Sequence, residues 1–189
     1  MKKSEILQRV MDGAGWEFGH RTAAMCISEV FETLVGQLFA RNPNQYEFYT
    51  KRVTLTVDNR KAILTIPLIQ TPNNANGVLR CMPTGADCDC YPDETVFYPA
   101  ALSAIKSTVD ANNLSDFVFY AVTNNMVYFN KSLPKTITAL LADVVPRFHG
   151  YDDDDFITFP AGIGQAIIDG SIAAMNANPA YINLYKKKK

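Results

Sequence analysis

Two histidines, four cysteines and one run of carboxylates are the groups from which catalysis or metal binding in this chain would have to be built. A nucleophile needs a base within hydrogen-bond reach, and that base is most often histidine. His20 stands beside a glycine-rich break and His149 beside Gly150, and neither adjoins a serine or cysteine in an elbow context. Gly162-Ile163-Gly164-Gln165-Ala166 places glutamine where a nucleophile elbow needs serine. Gly13-Ala14-Gly15 and Gly162-Ile163-Gly164 begin like phosphate-binding loops, but neither continues as one, and both lack the lysine that would reach a phosphate. No catalytic residue and no cofactor-binding residue is therefore assigned.

Metal is the second chemistry to weigh. Cys81, Cys88 and Cys90 cluster in sequence, yet structural zinc usually takes four ligands in close pairs, and neither histidine is near them. They are expected to be unligated thiols in a loop, with Cys26 a small buried hydrophobe on a helix. A chain of this size with a full apolar complement needs no disulfide staples, so free thiols in a reducing compartment are expected. Asp152 to Asp155 could hold a hard cation through oxygen ligands. The run lacks the alternating ligands, central glycine and terminal glutamate of a calcium loop, and is expected instead to be a solvated turn placing negative charge near the start of the following helix. A metal-dependent hydrolase built on His149 and Asp152 to Asp155 is the runner-up reading. A monomeric binding module using the loop 70–92 is a third.

The elements that would position these groups follow from the apolar spacing. Ser4 to Met11 can open a short helix with Ser4 as N-cap. From Arg21 to Ala40 the positions Ala24, Ile27, Val30, Phe31, Leu34, Val35, Leu38 and Phe39 recur at three- and four-residue spacing, which predicts one long amphipathic helix ended by Asn42-Pro43-Asn44. Tyr46 to Val57 and Ala62 to Pro67 are rich in β-branched and aromatic residues and predict a hairpin across Asp58 to Lys61. Residues 70–92 carry enough proline, glycine and asparagine to predict a long projecting loop, with a short strand at Val78 to Met82. A helix is expected over Tyr98 to Ala111 and a second hairpin over Phe117 to Asn130, turning at Thr123-Asn124-Asn125. Thr136 to Val145 reads as a strand with a helical alternative, and Ala161 to Asn176 as the last helix.

These elements predict an α+β fold in which a helical layer packs with antiparallel hairpins. Residues 1–189 are expected to form one domain: a helical segment at 1–44, a body at 45–176 with its arm at 70–92, and a tail at 177–189. A 189-residue chain is long enough for one filled core. Apolar residues at 48% and charged residues at 20% are those of an ordinary globular protein. No apolar run is long enough to span a bilayer, the N-terminus lacks the apolar stretch of a secretory signal, and a membrane partner is not expected. The net charge of −1 provides no global field to hold nucleic acid.

From Phe117 onward the order of features carries a resemblance. The hairpin Phe117 to Asn130 is followed by Leu133-Pro134, the strand-like Ile137 to Val145, Pro146, the acidic Tyr151 to Asp155, and Phe159-Pro160 heading a helix. This order resembles the C-terminal half of the adaptor or head–tail connector proteins of tailed bacteriophages, including the tail-tube-ring proteins of short-tailed phages. The resemblance implies a structural virion protein of the neck, assembled in the host cytoplasm, without catalysis or cofactor. It implies a homo-oligomeric ring, often a dodecamer, that extends the portal, carries the DNA channel and connects portal protein to tail proteins. DNA would pass transiently and without sequence preference, which suits a nearly neutral chain. Aromatic residues beside a basic run suit an interface with an apolar anchor and charged steering. Tyr181, Ile182, Leu184, Tyr185, Lys186, Lys187, Lys188 and Lys189 are accordingly expected to dock onto the portal or a neighbouring ring.

Overall fold

A computed structural model describes residues 1–15, 18–41, 49–69, 77–84, 96–107, 117–133 and 137–177. The fold is α+β, with four α-helices and a seven-stranded mixed sheet among the described residues. Residues 45–176, expected as one body, are divided: one compact unit comprises Met1–Tyr49 with Arg147–Lys189, and the other comprises Thr50–Pro146.

The first unit is helical. It contains α1 (Lys3–Ala14), α2 (Gly19–Arg41), a 3-10 turn (Phe148–Gly150) and α4 (Ile163–Ala177). Buried Ala23, Cys26, Ile27, Phe31, Val35 and Phe39 form one stripe of α2, and Gly164, Ile167, Ile168, Ser171 and Met175 form one stripe of α4. Small residues let the helices approach closely. A Cβ on Gly13 would lie 2.3 Å from the Ile172 side chain, and one on Gly170 would lie 3.1 Å from that of Val30. Phe31 centres an aromatic cluster, with ring centroids 5.9 to 6.3 Å from Tyr49, Phe148, Tyr151 and Phe159 in mostly edge-to-face geometry. Tyr151 Oη donates a 2.5 Å hydrogen bond to the Tyr49 carbonyl, tying together the two stretches of chain that build the unit.

The second unit is the sheet, ordered β3-β7-β1-β2-β6-β5-β4. Its strands are β1 (Lys51–Asp58), β2 (Lys61–Ile63), β3 (Val78–Pro83), β4 (Val96–Pro99), β5 (Phe117–Thr123), β6 (Met126–Phe129) and β7 (Ala139–Val144). The edge strands β3 and β4 approach one another, so the sheet is curled around its core. Inward-facing Leu55, Val118, Tyr120, Val127, Phe129, Leu140, Ala142 and Val144 fill that core. Both hairpins form as their residues dictate. Asn124 and Asn125 adopt positive φ (49° and 58°), the left-handed conformation a two-residue hairpin turn demands, and Asn59 does the same between β1 and β2. The helical alternative for 136–145 is not taken up, because β7 lies between β1 and β3.

The helix expected over Tyr98 to Ala111 is corrected. Val96–Pro99 is a strand paired in parallel with β5, and among the described residues the helix, α3, spans Leu102–Ser107, with 108–111 outside them. Proline disfavours the helical conformation in the residue before it, so Pro99 holds Tyr98 extended and the helix starts later. Parallel neighbours require a crossover, and the stretch containing α3 supplies it. The projecting loop at 70–92 is interrupted by β3; its remainder, 70–76 and 85–92, lies outside the described residues.

Gly77 fixes the approach to β3. Its φ is +79°, and a Cβ there would stand 2.7 Å from both the Ile69 carbonyl oxygen and Leu68 Cβ. Its own carbonyl accepts the Val145 N–H at 2.7 Å. Gly77→Ala is therefore expected to destabilise the protein by about 1–3 kcal/mol through backbone strain and crowding. The loss should appear as a lower denaturation midpoint of the sheet unit in urea.

Candidate interaction surface

The groups singled out for chemistry are placed in structural roles. Asp152 to Asp155 forms an exposed turn, as expected, and it clasps the first turn of α1. The carbonyls of Asp155 and Asp153 accept the N–H groups of Lys3 and Ser4, two of the donors a helix start leaves unpaired. Asp154 Oδ1 lies 3.1 Å from Lys2 Nζ, Asp153 Oδ1 lies 3.0 Å from Lys3 Nζ, and Asp155 Oδ2 accepts the Asp152 N–H at 2.7 Å. Negative charge at this end also suits the helix dipole. The expected Ser4 cap is replaced by Lys2, whose N–H donates to Glu5 Oε2 at 3.0 Å.

His149 lies exposed on the 3-10 turn, its Nδ1 3.2 Å from Ser28 Oγ of α2. This pairing spans 121 positions and has no local signature. Ser28 sits in the interior of a helix, where backbone N–H groups are consumed by the helical ladder and provide no oxyanion donors. Nearby, Arg147 Nε stands 3.7 Å from Glu32 Oε1. His20 is exposed in the first turn of α2.

The strand expected at Val78 to Met82 is present as β3, and Cys81, expected as a loop thiol, is corrected to a buried core position on it. Burial, assisted by the charge of Asp143, pushes its thiol up to about 12, and burial with Glu29 pushes Cys26 up to about 11. Both are held as neutral thiols, the form least able to attack or to ligate. Among the described residues no group of three or more histidine, cysteine or acidic side chains could hold a metal ion. Cys88, Cys90 and the residues expected to dock, Tyr181 to Lys189, lie outside the described residues.

What the structure gathers on the outside of the sheet has a different character. The inward set Val118, Tyr120 and Val122 on β5 leaves Phe117 and Phe119 facing out, and Tyr98 on β4 is the cross-strand partner of Phe119. Tyr98 is 5.5 Å from Phe117 and 6.2 Å from Phe119 between ring centroids, and Tyr98 and Phe117 are each 44% exposed. Along the same outer face lie Tyr128 with Lys61 Nζ 5.8 Å above its ring, and Ile63, also exposed. Strand alternation in 117–130 made this face legible as a parity, but the pairing with Tyr98 depended on recognising β4.

The opposite half of the sheet carries a charged rung, Arg52–Asp143–Arg80, across β1, β7 and β3. Arg52 Nε reaches Asp143 Oδ1 at 2.8 Å, and Arg80 Nη2 reaches Oδ2 at 2.9 Å. A bulge at Leu79 makes this possible. In unbroken register Leu79 would face Asp143 and Arg80 would point into the core; the extra residue returns Arg80 to the outer face and Cys81 to the inner one. Burial alone would raise the Asp143 carboxyl, but hydrogen bonds from Arg52 and Arg80, with their charges, outweigh it and hold the group below its ordinary value.

Asp143→Asn is expected to cost about 1–2 kcal/mol near pH 7, since charge-assisted hydrogen bonds are lost while both guanidiniums remain partly solvated. Because the folded pKa lies below the unfolded one, the parent has this stabilisation above about pH 4 and loses it as pH falls through the depressed value. Urea denaturation across pH 2–7 checks the sign: the gap between parent and variant should close at the acid end.

No protein-family model matches the chain, and no curated protein matches it.

Proposed function

We propose that this chain is a structural virion component that forms a ring in the neck of a tailed phage, connecting portal to tail and extending the DNA channel. The observation carrying this reading is the outward cluster of Tyr98, Phe117 and Phe119. Large aromatic side chains gathered on an outer face mark interaction sites. The order of features from Phe117 to the closing helix supports the identity of the assembly by resemblance. In this reading Tyr181 to Lys189 docks onto the portal or a neighbouring ring.

The hydrolase alternative draws less support. Asp153 and Asp154 are paired with Lys3 and Lys2, and the Ser28–His149 pair lacks local oxyanion donors. No helix among the described residues is long and apolar enough to cross a membrane.

The purified full chain is expected to form a closed oligomer by native mass spectrometry and rings by electron microscopy. Deleting residues 180–189 should leave the ring intact but weaken its attachment to the portal. A chain that stays monomeric at every concentration, or a turnover abolished by His149→Ala, would overturn the proposal.

A further inference from the structure

We draw no further inference here: the strongest candidate, the aromatic face that Tyr98, Phe117 and Phe119 form on the outside of β4 and β5, carries nothing because nothing in the structure shows what covers it.

Discussion

The antiparallel pairing of β1 with β7 is the constraint on which the rest of the structure depends. It sets Lys51 opposite Val144, so the chain enters and leaves the sheet unit at neighbouring points although more than ninety residues separate them. Because these ends coincide, residues 1–49 and 147–177 can build a single helical unit although the sheet unit is inserted between them in sequence. The junction is reinforced on each side. Val145 accepts from Ile69 and donates to Gly77 within the sheet unit, and Tyr151 bonds to the carbonyl of Tyr49 within the helical unit. The entropic cost of closing so long a loop grows only slowly with length, and six consecutive residue pairs along β1 and β7 offset it.

Strand β7 also divides the sheet's chemistry. Leu140, Ala142 and Val144 face the core while Asp143 faces out between two arginines. A carboxylate so largely buried is costly without partners, and the partners come from strands that only the fold brings together. The Leu79 bulge is the local expense of that arrangement, since without it the second guanidinium would be driven into an apolar interior.

Local chemistry made the legible parts of the sequence legible. The turns Asn59-Arg60 and Asn124-Asn125, the α2 stripe through Ile27, Phe31 and Val35, and the glycine-rich start of α4 follow from conformational preference and periodicity. Strand β4 was missed because the spacing of Ala101, Leu102 and Ile105 is helical and the effect of Pro99 on Tyr98 reaches one residue backward. The short strand around Cys81 is legible from Val78 to Met82, but the burial of its thiol is not, because the β7 partner that covers it lies some sixty residues away. The exposed turn at Asp152 to Asp155 is legible from its charge, but its clasp on the first turn of α1 is not, because that helix start lies some 150 residues away in sequence. The aromatic face was half legible, since alternation in β5 shows which residues share a side but not that Tyr98 joins them.

The ionisable groups with clear alkaline shifts share one physical condition. Tyr49 is pushed up to about 12 by burial, and Tyr120 and Tyr151 are raised further, by burial first and then by neighbouring Cys81 in one case and Asp155 and Tyr49 in the other. Tyr49 and Tyr120 have buried hydroxyls with no hydrogen-bond partner among the described residues. Each is therefore held neutral, together with the two buried thiols, and ionising any of them would place an uncompensated charge in an apolar core. A folded pKa raised in this way stabilises the fold at all pH values below the unfolded pKa and gives up that stabilisation only as the solution becomes strongly alkaline. Among the large hydrophobic side chains left facing water, Tyr98 and Phe117 lie together on one outer face of the sheet.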